Sequence, residues 1–145
     1  MARRTREETE SLVRELALQA AGVRAQDIVA LDVGPLVDYT DILLLVTGGS
    51  ARRNRAISER ITRHMKDRDE LPLSRSGRDA GTWICLDYVD FVVHVFDQET
   101  RDHYDLELLW ADAERFDLQL PEGAIQAPEP IEEEEYDEDV ILPSE

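Results

Sequence analysis

The sequence lacks several features that would assign a function class directly. Cys85 is the only cysteine among 145 residues, which excludes an internal disulfide and any zinc site built from several cysteines of one chain. No apolar run approaches the roughly 18 residues that a membrane span needs, and the N-terminus shows no apolar segment of a signal peptide. We therefore expect a single domain from a reducing, cytoplasmic setting, large enough to bury a core.

Charge is abundant but unevenly distributed. The chain has 33 acids and 16 bases, a formal net charge of −17. Residues 121–145 contain ten acids and neither Lys nor Arg, so we expect a folded domain over residues 1–120 and a disordered acidic tail over residues 121–145. The tail is either a solvated segment or a competitor for a basic surface. Residues 79–120 are also acidic, which disfavours phosphate backbones and favours a basic partner.

Two segments have the apolar periodicity of helices. Thr5 and Glu8 form a T-x-x-E capping box that predicts a helix over residues 6–21. Ser50 follows a T-G-G turn and predicts the N-cap of a second helix over residues 51–67. The apolar stripe of that helix comprises Ile57, Ile61 and Met65. Arginines cover much of its remaining surface, so the face is either ordinarily solvated or a direct contact for RNA.

The other segments predict strands and one short helix, which together indicate an α/β fold. Residues 27–33 predict a first strand, and the unbroken apolar run at residues 41–46 predicts a central strand covered on both faces. Leu-Pro-Leu at residues 71–73 suits an edge strand, because proline is tolerated there, and residues 74–81 suit a polar loop. Residues 100–110 predict a helical segment. Three of its side chains are expected to face inward: Tyr104, Leu108 and Leu109.

The segment WICLDYVDFVVHVF, residues 83–96, predicts a β-hairpin. Its simplest connection is the pair Tyr88 and Val89, which places Asp87 opposite Asp90. The remaining cross-strand pairs are then Leu86 with Phe91, Cys85 with Val92, Ile84 with Val93, and Trp83 with His94. A primed turn needs positive φ, which β-branched Val89 resists, so the loop is longer, of another type, or strained.

Side-chain alternation divides this hairpin into two faces. The first face is entirely apolar and belongs to the core: Ile84, Leu86, Phe91, Val93 and Val95. The second face mixes aromatic and acidic side chains: Trp83, Cys85, Asp87, Asp90, Val92, His94 and Phe96. If another helix covers the second face, Trp83 is ordinary core. If the face is exposed, Trp83 is a binding anchor and the two acids at the tip meet a basic partner.

Several stretches at matching order and spacing resemble the ribosomal silencing factors, also called the Iojap-related or RsfS family. The resemblance covers residues 7–118 and rests on the following segments: DIVALDV, YTDILLLVTGGSARRNRAI, WICLDYVDFVVHVF, the link from Arg101 to Tyr104, and YDLELLW. The combination of W-x-x-x-D, V-H-V-F and Y-x-L-E-x-L-W is highly specific. Three positions depart from the usual family pattern: Arg53 replaces a His, Asn54 an apolar residue, and Val89 a frequent Gly.

The resemblance implies a mixed β-sheet flanked by helices, related to the nucleotidyltransferase fold but without its catalytic residues. It implies a translational repressor that binds the large ribosomal subunit through large-subunit ribosomal protein fourteen and blocks joining of the small subunit. A role in large-subunit assembly is also implied. The family interface, carried over, predicts five partner-binding residues: Trp83, Asp87, Tyr88, Val89 and Asp90. No cofactor, metal or membrane is expected, whereas a minor contact with ribosomal RNA and a homodimer of the free protein stay open.

Enzymatic alternatives find less support in the residues. Gly49 and Ser50, which open a helix after a buried strand, resemble the start of a nucleotidyltransferase, but such an enzyme needs carboxylates that hold two metal ions. Asp87 and Asp90 lie three apart across a turn and do not project from one strand. Cys85 and a histidine on the facing strand are offset by one residue pair, and no two histidines have ligand spacing. We therefore expect neither catalysis nor a metal site.

Overall fold

A computed structural model describes residues 4–127; the acidic run of the predicted tail, residues 128–145, lies outside the described residues. The described elements are, in chain order, α1 (Arg6–Ala21), β1 (Gln26–Asp32), β2 (Ile42–Thr47), α2 (Ala51–Lys66), β3 (Ser74–Ser76), β4 (Trp83–Asp87), β5 (Phe91–Phe96), α3 (Gln98–Tyr104), α4 (Leu106–Leu109) and β6 (Glu114–Phe116). The fold is therefore a mixed α/β arrangement, as predicted, in which α1 and α2 cover one face of a sheet.

The six strands form one mixed sheet in the order β3-β4-β5-β2-β1-β6. Strands β2 and β5 are parallel, and every other neighbouring pair of this sheet is antiparallel. All six residues of β2 are buried, which confirms the prediction of a central strand covered on both faces. Strand β6 was not predicted, because three residues are too few to show an alternating pattern.

The two long helices begin as the sequence predicts. The Thr5 side chain accepts from the Glu8 N–H while the Glu8 carboxylate accepts from the Thr5 N–H, which completes the capping box of α1. Ser50 caps α2 by accepting from the Arg53 N–H at 3.0 Å. The predicted stripe of α2 is fully buried: Ile57, Ile61 and Met65. These side chains join α1 and the first face of the hairpin in the main core.

The edge strand lies slightly later in the chain than predicted. Residues 71–73 are not a strand, and β3 pairs with β4 through Ser74 opposite Asp87. Pairing can begin only after Pro72, which lacks an N–H; the Leu73 N–H donates to the Asp87 carbonyl at 2.7 Å. Leu71 and Leu73 are consequently exposed beside α2.

The predicted register of the hairpin is wrong by two residues. Cys85 pairs with His94, and Asp87 faces Val92 rather than Asp90. The strands reverse at Val89, where the Asp90 N–H donates to the Tyr88 carbonyl at 2.9 Å. Val89 has a φ of 76°, which marks the rare, strained form of the three-residue turn, so the strained alternative is the one found. Because the shift is even, the strand residues keep their predicted faces. Asp90, which was predicted on the second face, is instead buried at the turn and pairs with Arg4.

The prediction for residues 100–110 is also corrected. Asp105 adopts a left-handed conformation, with φ 48° and ψ 59°, and separates α3 from α4. This residue changes the phase of the helical periodicity, so Leu106 turns toward the sheet. The three side chains expected to face inward are instead exposed: Tyr104, Leu108 and Leu109.

Candidate functional site

The second face of the sheet is neither fully covered nor fully open. A smaller core lies there, formed by Leu31, Val33, Leu43, Leu45, Val92, Phe96 and Leu106. The corner between α3 and α4 and the loop around Val37 cover this core. Toward the β3–β4 edge the cover ends, and Trp83, Cys85 and Asp87 are only half-buried. This open part is the candidate surface for a partner.

Trp83 is held in place by polar and aromatic contacts. Its indole N–H donates to Nδ1 of His94 at 3.0 Å. Its ring lies 4.6 Å from the ring of Tyr104, between centroids, and 5.9 Å from that of Phe96. Since the Nδ1 of His94 accepts a hydrogen bond, the neutral imidazole carries its hydrogen on Nε2. The half-exposed edge of Trp83 is therefore a rigid feature of the surface, as a binding anchor requires.

Burial lowers the pKa of His94 to about 4, and this predicts a loss of stability in mild acid. An unfolded histidine takes up a proton near pH 6.5, whereas folded His94 stays neutral. The contribution of neutral His94 to the free energy of unfolding is therefore fully present above pH 6.5 and is lost progressively as the pH falls toward 4. Relative to His94→Gln, which keeps an acceptor for Trp83, the wild-type free energy of unfolding should fall by about 2 kcal/mol from pH 7 to pH 5. Urea unfolding at both values measures this, and an equal fall in the two proteins would contradict it.

The tip of the hairpin is tied to the N-terminus. Asp90 is 4% exposed and pairs with Arg4, whose NH2 lies 3.3 Å from its Oδ2. Arg4 also donates to the Tyr88 carbonyl at 3.3 Å and pairs with Glu70. Tyr88 is buried and stacks on Phe91, and burial raises its pKa to about 12. Sequence reasoning missed Arg4, because no local pattern links it to a hairpin more than 80 residues away.

Asp87 and Val89 complete the tip on its outer side. The Oδ1 of Asp87 accepts from the Val89 N–H at 2.8 Å, and so supports the strained turn. Val89 itself is exposed. The five predicted partner-binding residues thus share one hairpin with unequal access: Trp83, Asp87 and Val89 reach the surface, whereas Tyr88 and Asp90 are buried. Their role in binding a partner stays a prediction.

Three exposed apolar side chains at the corner between α3 and α4 were not foreseen, and one of them, Tyr104, contacts Trp83. We call these side chains the corner patch: Tyr104, Leu108 and Leu109. Acidic residues of the same stretch surround it in the sequence: Glu99, Asp102, Asp105, Glu107 and Asp112. Exposed apolar side chains that are grouped and rimmed by polar ones mark interaction sites. The pattern Y-x-L-E-x-L-W contained the signal, but the left-handed residue at position 105 hid which side chains face outward.

Arg101 fixes the corner patch to the sheet. Its guanidinium is buried and donates from NH1 to the Asp27 carbonyl at 2.6 Å and to the Thr47 hydroxyl at 2.8 Å. Nε and NH2 of the same guanidinium donate to the two carboxylate oxygens of Glu107, at 3.0 and 3.2 Å. These hydrogen bonds lower the pKa of Glu107. One side chain therefore joins α3, α4 and two strands.

Groups considered for catalysis have structural partners. Cys85 lies directly opposite His94, not offset from it, but burial raises the pKa of the Cys85 thiol and lowers that of His94. Both shifts oppose a thiolate–imidazolium pair. Over residues 4–127, no group of three or more His, Cys, Asp or Glu side chains could hold a metal ion. Within the same part of the chain, no helix is long and apolar enough to cross a membrane.

The unusual Asn54 has a structural explanation. Its side chain is buried, and Nδ2 donates to the Gly81 carbonyl at 2.7 Å. A Cβ at Gly48 would lie only 2.2 Å from the Asn54 Oδ1, so the turn before α2 needs glycine at that position. The amide therefore joins the start of α2 to the connection that precedes β4, at a position where the family that the sequence resembles usually has an apolar residue.

Comparisons with known proteins agree on one family. The family model described as "Ribosomal silencing factor during starvation" matches residues 6–140. Ribosomal silencing factor RsfS of Bacillus subtilis is 33% identical over 108 residues, which cover 74% of this chain and 92% of that protein. "Mitochondrial assembly of ribosomal large subunit protein 1" of Mus musculus is 34% identical over 105 residues; these cover 70% of this chain but only 46% of the mouse protein, so the match spans about half of its length.

Solved structures support the fold independently. A crystal structure of a Chromobacterium violaceum protein matches with a TM-score of 0.65 at 26% identity, covering 78% of this chain and 94% of that one. A Bacillus halodurans crystal structure matches with a TM-score of 0.62 at 27% identity, covering 71% and 94%. The architecture described above is therefore shared by solved proteins over most of their length.

Proposed function

This chain belongs to the ribosomal silencing factor family, and from that premise we propose that it binds the large ribosomal subunit and keeps the small subunit from joining it. Membership makes the chain a ribosome-associated regulatory protein. The finer proposal is that it binds large-subunit ribosomal protein fourteen and represses translation by steric exclusion. The mouse relative is named for assembly of the large subunit, and a protein that binds free large subunits can act at that stage as well.

The observation that carries this proposal is the corner patch beside Trp83. Affinity at protein interfaces is concentrated in a few large apolar and aromatic side chains, with polar residues around them. Trp83 and Tyr104 supply adjoining aromatic rings, and two leucines of α4, the helix that follows Tyr104, are also exposed. Residues 79–120 carry eleven acids and two bases. Such a surface attracts a basic protein, which ribosomal proteins commonly are, and repels bare phosphate backbones.

Co-sedimentation tests the proposal directly. We expect the purified protein to co-sediment with isolated large subunits and not with small subunits. Added to a mixture of both subunits, it should lower the yield of joined ribosomes, because its bound volume blocks the joining surface. Sedimentation with small subunits alone, or no sedimentation with either, would refute the proposal. Loss of large-subunit binding when protein fourteen is masked by an antibody fragment would identify the partner.

The charge at Asp87 provides a second prediction. Asp87→Asn keeps the acceptor for the Val89 N–H but removes the negative charge, so the turn should persist while attraction to a basic partner weakens. We expect affinity for the large subunit to fall about three- to tenfold, mainly through slower association at low salt. Binding kinetics at two salt concentrations measure this effect.

Asp117→Asn is a matched control for that variant. The Asp117 Oδ1 accepts from the Gln119 N–H at 2.9 Å, and Gln119, like Val89, has positive φ. Asp117 lies next to β6, at the opposite edge of the sheet from β3. Unchanged binding by Asp117→Asn is expected, and equal losses in both variants would show that general charge, not the hairpin, governs the interaction.

The same apolar surface could also pair with a second copy of the free protein. A homodimer that buries the corner patch would compete with the ribosomal partner. The test is the affinity for large subunits measured across protein concentrations that span dimer dissociation by analytical ultracentrifugation. If dimerisation and subunit binding use one surface, Leu108→Asp should weaken both.

A further inference from the structure

The exposed side of α2 is a basic stripe that the proposed function does not use. Residues 52–78 carry nine bases and four acids. Arg63 and Lys66 are exposed on the outer side of the helix, and Arg60 donates to the neutral amide of Gln19 at 2.8 Å, which leaves its charge in place. Among the acids near this side, Glu59 pairs with Arg78, and Glu15 of α1 lies 2.8 Å from the His64 imidazole. The stripe thus has a positive field on a protein that is strongly acidic as a whole.

A groove of mixed polar and apolar lining runs beside the C-terminal half of α2, between the helix and the segment that leads to β3. It is lined by Arg63, Lys66, Arg75 and the exposed leucines Leu71 and Leu73, among others, and has a volume of about 590 Å³. A ligand that follows the stripe from the start of α2 would therefore meet the two exposed leucines only at the far end, where Arg63 and Lys66 line the same groove. A ligand that fits this surface needs acidic residues first and apolar residues after them.

The described part of the chain ends near the other end of this path. The Ala127 carbonyl accepts from NH1 of Arg24 at 2.6 Å, and the Gln126 carbonyl accepts from the Gln26 amide. Arg24 follows α1, in the connection that packs against the first turn of α2, where Arg53 donates to the Val23 carbonyl at 3.5 Å. Ala127 therefore lies near the N-terminal end of the basic stripe.

Residues 128–145 have acids followed by an apolar triplet, which matches the stripe followed by the leucines of the groove, and they are long enough to extend along α2. Nine acids and no base occupy this stretch; eight of the acids precede position 140, and the apolar triplet Val-Ile-Leu follows at 140–142. The 16 residues of α2 extend about 24 Å. The 13 residues from 127 to 140 can span about 43 Å when extended. The acids can therefore lie along the stripe while the triplet reaches the groove.

We propose that residues 128–145 bind intramolecularly along α2, with the acids on the stripe and residues 140–142 in the groove, and so shield this face from RNA. Because the chain leaves the folded domain near the start of α2, this contact needs no partner protein. It is independent of the proposed function on the ribosome. Shielding has a clear use, since an uncovered basic helix would bind phosphate backbones without sequence preference. The tail would yield to RNA where local phosphate density is high.

Lys66 makes the contact measurable, because it is the only lysine in the chain. A zero-length carbodiimide reagent joins an amine to a carboxylate in direct contact, and mass spectrometry locates the joined peptides. In the full-length protein at low salt, we expect Lys66 to be joined to acids of residues 129–139. Cross-links from Lys66 only to nearby acids of the folded domain, such as Asp69 or Glu70, would overturn the proposal.

Two further experiments test whether the tail that binds α2 belongs to the same molecule and whether it binds through the basic stripe. A mixture of isotopically light and heavy protein should give cross-links within one isotope only, and mixed products would show that the tail binds a second copy instead. Arg63→Glu, which reverses one exposed charge of the stripe, should reduce the yield several-fold. Arg115→Glu is its control, since that arginine is exposed on β6 at the far edge of the sheet, and it should leave the yield unchanged.

Binding of a labelled uridine homopolymer tests the consequence. A full-length variant with glutamines at positions 132–135 should bind this RNA about tenfold more tightly than the wild type at low salt, because four competing charges are removed. Adding Arg63→Glu to that variant should reverse the gain. An RNA affinity that does not rise in the glutamine variant, or a gain that Arg63→Glu leaves intact, would show that the tail does not shield α2.

Discussion

Replacing Leu108 and Leu109 together by Asp is expected to weaken binding of the large ribosomal subunit by about 30-fold or more. Both side chains belong to the corner patch and are 70% and 68% exposed, so they contribute little to the core. Apolar anchors at the centre of an interface often contribute about 2 kcal/mol or more when truncated, which corresponds to about 30-fold in affinity. Two charges placed there add the cost of burying them against a partner. Quantitative co-sedimentation measures the loss.

The chain offers a matched control at Leu71 and Leu73. These leucines are 75% and 72% exposed but lie on the side of the sheet that carries α2. Replacing both by Asp should leave large-subunit binding within about twofold of the wild type, and neither double variant should change the melting temperature appreciably, since exposed substitutions cost little. If the control pair loses as much affinity as the corner-patch pair, the interface is not on the second face.

Trp83 is a less informative target than the leucines, although the sequence points to it first. Its indole donates to His94 and its ring contacts Tyr104 and Phe96. Truncation to Ala would therefore remove packing and leave a buried acceptor without a donor, so lost stability and lost binding would be mixed. The choice of Leu108 and Leu109 follows from exposure, which only the three-dimensional structure reveals.

Local patterns in the sequence were sufficient for the elements that depend on local interactions. The T-x-x-E box predicted the start of α1, and Ser50 predicted the start of α2, because capping involves residues three apart in the chain. Alternation predicted both faces of the hairpin strands, and these survived a wrong register because the error was an even number of residues.

The candidate site depended on features that are not local. The turn at Val89 adopts positive φ that its residue type disfavours, with Arg4 and Asp87 bonded around it. A single left-handed residue, Asp105, reversed which leucines face outward. Long-range hydrogen bonds and one unusual backbone conformation leave no periodic trace in the sequence, so the accessibility of the site could not be derived from the sequence alone.

Arg101→Ala is expected to lower the free energy of unfolding by about 2–4 kcal/mol, because buried backbone and hydroxyl acceptors lose their donor at about 1–3 kcal/mol each, whereas Glu107 is partly exposed. The Asp27 carbonyl, the Thr47 hydroxyl and the Glu107 carboxylate would each lose a buried donor. Arg101→Lys should recover only part of the loss, because an ammonium group cannot bond both oxygens of Glu107 and the strand carbonyl together. Urea unfolding of the three proteins measures these differences.

Arg115→Ala separates this effect from a simple loss of charge beside Glu107. Arg115 reaches the same carboxylate, at 3.5 Å, but its side chain is mostly exposed, so its removal should cost less than about 1 kcal/mol. Because Arg101 joins α3 and α4 to the sheet, its replacement should also displace the corner patch and weaken large-subunit binding under conditions where the variant is still folded. The opposite result is an Arg101→Ala variant that unfolds at lower urea yet binds the large subunit normally while folded. That result would mean that the packing of Leu106, not Arg101, positions the corner patch.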